Sequence, residues 1–193
     1  VGSEMCIRDR NVSLSPFMLR MNSVRKKRTD KTVVKEHIVL AAAKSFAQKG
    51  VKTVRMDDIA AGLSISKRTL YELFHDKEDL LLDVMKLHRE EMQEYRTQVA
   101  SKAENVLEVL LKFFQRSAQE FQNTNRKFFE DIEKYPKVMR YIDESRKENL
   151  DSAMEFYRKG VEQGIFRNDV NYNIVRARVC EQMDLLLHSE ICK

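Results

Sequence analysis

Four consecutive residues, Ser66-Lys67-Arg68-Thr69, put two hydroxyls and two cations at what reads as the start of a short helix. Lysine and arginine can donate to the O6 and N7 acceptors on a guanine edge, and Ser and Thr hydroxyls can bond several base groups. Tyr71 offers a phenol to a phosphate oxygen. Lys77, at the start of the next helix, joins a side-chain charge to exposed backbone N–H groups, which suits a phosphate. Lys52, Thr53 and Arg55 stand just before the preceding helix, where they can do the same. Taken singly, each is an ordinary surface residue of a helical protein. Together they gain weight because a cap, a tight turn and an apolar face coincide with a locally basic helix end.

The elements that must position these groups can be read around them. Asp57 and Asp58 suit the first turn of one helix, where negative charge opposes the helix dipole. Ile59, Ala60 and Leu63 form its inner side, Ser64 turns the chain, and Ser66 caps the next helix. Leu70, Leu73 and Phe74 are the apolar side of that helix, and His75-Asp76 ends it. Two short helices joined this way can set one helix end against base edges and the other helix against the backbone. Upstream, from Thr32, residues Val34, Ile38, Ala41, Ala42, Ser45 and Phe46 share one helical face. Gly50 fits the left-handed stop.

Downstream the pattern stays helical. Asp76 caps a helix over about 77–101, with Asp79 completing an imperfect capping box and Leu80, Leu81, Val84, Leu87, His88, Glu91 and Tyr95 along its inner stripe. Further segments are expected over about 104–122, 125–133, 136–163 and 172–189, with Pro136 at a helix start and Gly164 at a stop. Strand alternation, repeats and low-complexity tracts are not apparent. The fold class expected is all-α, an N-terminal three-helix domain with a helix-turn-helix followed by a helical bundle. The expected organisation is a 1–28 extension, a DNA-binding domain over 29–78, and an effector and dimerisation domain over 79–193.

Charge supports that division. From Asn22 to Leu80 there are thirteen Lys and Arg against eight Asp and Glu, and from Leu81 onward nineteen against twenty. A basic module joined to a near-neutral one fits a polyanion partner for the first. The run Arg25-Lys26-Lys27-Arg28 is either an arm on DNA or a solvated tail. The opening Val-Gly-Ser-Glu-Met-Cys-Ile-Arg-Asp-Arg resembles linker sequence, with Met18 or Met21 as a natural start. Cys6, Cys180 and Cys192 show no paired spacing, which argues for a reducing compartment. No apolar run reaches the roughly 18 residues of a membrane span, so a cytoplasmic protein with no membrane partner is expected.

The strings Asp58-Ile59-Ala60, Leu63-Ser64-Ile65-Ser66, Thr69-Leu70-Tyr71, Phe74 and Lys77-Glu78-Asp79-Leu80, with Phe46 and Gly50 before them, resemble the DNA-binding domain of the TetR family of bacterial transcriptional regulators. The resemblance covers about residues 31–82. It implies an all-helical homodimer whose third helix, here Ser66 to Leu73, enters the major groove of an operator. It also implies that Tyr71, the nearby Thr and Lys residues and Lys77 hold phosphates, and that a small-molecule effector lowers DNA affinity. Two positions depart from the family pattern. Ser64 replaces the usual turn glycine, at a cost of about 1 kcal/mol, and Arg55 stands where a small hydroxyl cap is common, costing about 1 kcal/mol.

For the C-terminal half the resemblance names no ligand. Tyr95, Phe113, Phe114, Phe121, Met139, Tyr157 and Met183 are the candidates to line an apolar pocket, although aromatics and methionines at helical spacing are most often core. Catalysis has little support, since there is no Ser/His/Asp constellation and no glycine-rich phosphate loop. No cofactor or metal is expected. Cys180 and His188 stand two turns apart on one helix, about 12 Å along its axis, too far for one ion. Family members dimerise through two long C-terminal helices, and only one can be placed here, so a truncated end is expected. The function expected is a DNA-binding regulator, a ligand-responsive repressor. The alternative is a helical ligand-binding or scaffold protein that keeps the fold without operator binding.

Overall fold

The computed structural model describes the backbone of residues 31–188 and, in its last helix, the side chains as far as Val179 together with Glu181. The basic run at residues 25–28 and the extension before it lie outside the described residues. Among the described residues every regular element is a helix: α1 Lys31–Lys49, α2 Met56–Gly62, α3 Lys67–Leu73, α4 Lys77–Lys102, α5 Val106–Asn123, α6 Arg126–Ile132, α7 Pro136–Glu148, α8 Leu150–Glu162 and α9 Tyr172–His188. None of them is long and apolar enough to cross a membrane.

The N-terminal core is built on Ile38, Ala42 and Phe46 of α1, Leu70 of α3, and Leu80 and Leu81 of α4, all fully buried. Val39, Leu40 and Ala43 are buried as well, so α1 is covered on more than the one stripe its periodicity indicates. The reason is tertiary: α2, α4 and α6 all pack on α1. Helix α4 starts in this core and runs on as the spine of the second half, where α5 and α7 pack on it.

Ser64 is the one non-glycine residue among those described with a positive φ, +54°. It sits at the end of α2, where Ile65 N–H bonds Ala60 C=O at 3.0 Å and Ser64 N–H bonds Ala61 C=O at 3.1 Å. That pair of bonds is a Schellman motif, which demands a left-handed residue at its centre. The turn therefore keeps its geometry despite the serine, and the backbone bonds hold the strain. At the start of α2, Asp58 Oδ2 accepts from Arg55 N–H at 3.1 Å. Arginine has no acceptor to return that bond, so half a capping box stands in for the missing hydroxyl cap.

One expected element is divided. The segment over 136–163 breaks at Asn149 into α7 and α8. There the Asn149 side-chain amide donates to Ser145 C=O at 2.9 Å, the carbonyl that its own N–H also reaches at 3.2 Å. Asparagine competes for backbone groups in this way, which makes it a poor residue inside a helix.

Beyond α8 an aromatic cluster closes the turn into α9. Tyr157 and Tyr172 stack with ring centroids 4.7 Å apart, and Phe166 lies 6.0 Å from each. The Phe166 ring occupies the space that a side chain at Gly160 would need, 2.0 Å from an ideal Cβ.

The Ser64 turn and the Gly160–Phe166 contact can both be probed by stability. Ser64→Gly should stabilise the chain by about 0.5–1 kcal/mol, the relief of left-handed strain less the added unfolded-state entropy; an unchanged or lower thermal midpoint would count against a strained turn. Gly160→Ala should destabilise by about 1–3 kcal/mol, since Phe166 must leave its place; denaturant unfolding reads this directly.

Candidate nucleic-acid interface

The Schellman turn delivers the chain to Ser66 in an extended conformation, and α3 begins there. Ser66 Oγ accepts from Thr69 N–H at 3.0 Å, and the two hydroxyls lie 2.8 Å apart. Ser66 and Thr69 are thus largely occupied in capping the helix they were expected to serve as readers. Lys67 and Arg68 follow on the open surface. The Lys67 ammonium meets Asp57 Oδ2 of α2 at 2.5 Å, and Arg68 Nε meets Glu72 Oε1 at 2.8 Å. The hydrogen bond from Asp57 raises the pKa of Lys67 above its ordinary value. Tyr71, one turn along, is exposed. Thr53 and Arg55 are exposed at the entrance to α2. Lys67, Arg68, Tyr71, Thr53 and Arg55 are therefore each exposed, on the helix-turn-helix or just before it.

Lys77 is placed differently. Its Nζ donates to Val51 C=O at 3.0 Å and to Lys52 C=O at 3.3 Å. Burial pulls its pKa below the ordinary lysine value, against the pull of Asp131 and Asp58. Its side chain closes the loop between α1 and α2, so it holds the backbone next to Thr53 and Arg55 from below.

A second support for that loop leaves no mark in the local sequence. Asp131 of α6 is 6% exposed, and its Oδ2 accepts from Lys52 N–H at 2.7 Å. Burial opposes its charge, but the Lys52 N–H and the Lys134 ammonium outweigh burial and hold its pKa below the usual carboxylate range. Asn125, which caps α6, bonds the end of α1 twice: its N–H reaches Ala47 C=O at 2.7 Å and its Nδ2 reaches Gln48 C=O at 3.1 Å. On the other side, Lys137 of α7 donates its N–H to Glu78 at 2.7 Å and its ammonium to Asp79 at 2.7 Å. These partners lie 58 to 79 positions apart in sequence, so no local pattern could reveal them.

The pocket candidates scatter. Tyr95 is half-buried, bonds Lys112 C=O at 3.2 Å and carries the Arg116 guanidinium 4.4 Å over its ring. Arg116 is buried and pairs with Glu120 at 3.0 Å. His88 is half-buried close by, and desolvation lowers its pKa; Glu120 pulls the other way and Arg116 adds to the lowering. Phe121 stacks on Phe129 of α6 at 5.4 Å, and Phe113 is half-buried. Phe114 faces outward, 58% exposed. Met139 packs on the N-terminal core, and Tyr157 belongs to the aromatic cluster with Tyr172. The side chain of Met183 lies outside the described residues.

A helix-turn-helix with a basic recognition edge, set on a three-helix core and followed by a helical bundle, defines a DNA-binding regulator of transcription. Residues 38–84 match the family model described as bacterial regulatory proteins, tetR family. The HTH-type transcriptional repressor KstR2 of Mycobacterium tuberculosis is 28% identical over 147 residues, 72% of each chain. The TetR family regulator PfmR from Thermus thermophilus superposes with a TM-score of 0.58 at 25% identity, over 79% of this chain and 85% of that one. The fatty acid degradation regulator FadR from Bacillus halodurans shares the fold with a TM-score of 0.65 at 20% identity, over 84% of each chain. Over residues 38–84 the chain carries the DNA-binding domain of the TetR family of bacterial regulators.

The Asp131 joint has a measurable signature. Asp131→Ala should cost about 1–3 kcal/mol by stranding the Lys52 N–H. Because the folded-state pKa of Asp131 is lowered, its contribution is complete above the ordinary carboxylate range and is lost as pH falls through the folded value. The wild type should therefore lose more stability than the variant on acidification from about pH 5 to pH 3. Parallel acid limbs in urea unfolding would contradict the assignment.

Proposed function

We propose that this protein is a cytoplasmic, homodimeric repressor that leaves its operator when a small apolar effector binds the C-terminal bundle. The observation that carries the reading is the exposed cationic start of α3 on a fixed turn. In this reading Lys67 and Arg68 read base edges, with Ser66 and Thr69 at the helix cap beside them. Thr53, Arg55 and Tyr71 hold phosphates, and Lys77 keeps the loop that carries the first two in place. Repression is supported by the similarity to a repressor, KstR2, and an apolar effector by the similarity to a fatty acid degradation regulator. Dimerisation is supported by apolar side chains left in solvent: Ile174 and Val179 on α9, 62% and 47% exposed, and Leu107, Leu111 and Phe114 along one side of α5. Patches of that kind mark protein contacts. In such a dimer the two copies of α3 must meet major grooves about 34 Å apart, and an effector that changes their separation loosens the complex.

The test is DNA binding against salt. The full chain selects its preferred duplex from a random pool, and variants are titrated against that duplex and a shuffled one. Replacing Lys67 and Arg68 together with alanine should cost about 1–3 kcal/mol per lost base contact and relax the base preference. Arg55→Thr should weaken both duplexes about equally and reduce the salt slope by about one, while its new cap raises stability by about 1 kcal/mol. A chain that selects no duplex at all would favour the ligand-binding scaffold instead.

A further inference from the structure

Both cations at the start of α3 carry a carboxylate of their own. For Arg68 the partner is on the same helix, Glu72, one turn along. For Lys67 the partner belongs to the other helix of the unit: Asp57 lies ten positions earlier, in the first turn of α2. Lysine has a flexible four-carbon stem and a point charge that fixes no direction by itself. An ammonium has three N–H donors. With one given to Asp57, two are left, and a guanine edge presents two acceptors, O6 and N7.

The base on which Asp57 stands is rigid. Its helix is anchored by Met56, Ile59 and Ala60 in the core, and the Schellman bonds fix the passage from α2 into α3. Asp57 is therefore a fixed point from which the tip of a mobile side chain can be aimed. An exposed ion pair adds little to folding stability, and the helix dipole that favours a carboxylate at Asp57 does not require that it hold Lys67. A negative charge there also opposes phosphate, and that cost falls on every sequence alike.

We propose that Asp57 is a positioning residue for base recognition: it holds the Lys67 ammonium with two donors free toward a guanine edge, and so gives sequence preference at the expense of general DNA affinity. This rests on Ser66 to Tyr71 being the reading edge. Holding Lys67 before binding spares the cost of immobilising it in the complex. Removing the hold should cost the preferred site roughly two- to tenfold, the range for ordering one long side chain. The same change frees a positive charge for phosphates, and the shuffled duplex should gain.

The experiment measures anisotropy of two labelled duplexes of equal length and composition, the one selected by the full chain and its shuffled counterpart, at several salt concentrations. Asp57→Asn, which keeps the side-chain shape, is expected to weaken the selected duplex and strengthen the shuffled one, with a salt slope on the latter steeper by about one. In a Lys67→Ala background the same change should no longer weaken the selected duplex. Affinities that rise together for both duplexes would reduce Asp57 to a repulsive charge and overturn the proposal, as would no change on either. So would a loss on the selected duplex that persists without Lys67. If Lys67→Ala alone leaves the selected duplex and its base preference untouched, the reading edge itself is misplaced and the proposal falls with it.

Discussion

The contact between α6 and the end of α1 ties the second half of the molecule to the loop that leads into α2. At Gly50, with φ +80°, an added Cβ would stand 2.8 Å from Lys127 Cβ and 3.2 Å from Asp131 Oδ2. Glycine is required there twice, for the left-handed stop and for the approach of α6. The approach then uses up the polar backbone groups that a helix end leaves open. Asn125 takes the carbonyls of Ala47 and Gln48, Asp131 takes the Lys52 N–H, and Lys77 takes the carbonyls of Val51 and Lys52. The loop that leads into α2 is held from both sides, although it lies at the surface and carries Thr53 and Arg55. A loop so fully bonded can present the Thr53 and Arg55 side chains in one geometry.

The second half of the interface is held by geometry more than by charge. The helix-turn-helix is fixed by its Schellman turn, by Leu70 and Phe74 beneath α3, and by the caps at Ser66 and Asp76. Asp76 Oδ1 accepts from Asp79 N–H at 2.8 Å, and that bond is the largest cause of its lowered pKa. With these helix ends satisfied, the excess positive charge can stay on side chains that remain exposed. The two departures from the family pattern fit the same logic. Ser64 is strained but bonded into place, and Arg55 gives up a hydroxyl cap that Asp58 partly replaces.

What was legible in the sequence was what depends on neighbours in sequence. Gly50, Ser64, Ser66, Asp76 and Gly164 mark helix ends by local chemistry, and each stands where that chemistry places it. The inner residues Ile38, Ala42, Phe46, Leu70 and Leu80 follow from period alone. Lys77 was legible as a cation at a helix start, but not as a donor to carbonyls 25 and 26 positions earlier. Asn149 was hidden for a different reason: one asparagine leaves the apolar periodicity intact, and the break coincides with its second bond to one carbonyl. The pocket candidates were least legible, because half-buried aromatics look alike whether they meet a ligand, a core or a second chain. Phe114 and Phe121 stand two turns apart on α5, yet one is in solvent and the other stacks on α6.

The bundle reaches the DNA-binding half through two joints that differ in their polar share. Helix α4 enters with Leu80, Leu81 and Val84 in the core, so moving it exposes apolar surface. Each buried side chain of that kind is worth about 1.5–3 kcal/mol. Helix α6 enters with one buried apolar side chain, Ile132, and with hydrogen bonds from Asn125 and Asp131, whose net worth is about 0.5–1.5 kcal/mol each. The apolar joint sets where the two halves meet, and the polar joint sets how they are oriented. Of the two, the α6 joint is the less costly to remake. It also touches the loop that carries Thr53 and Arg55, so any shift of α6 is felt first at that loop.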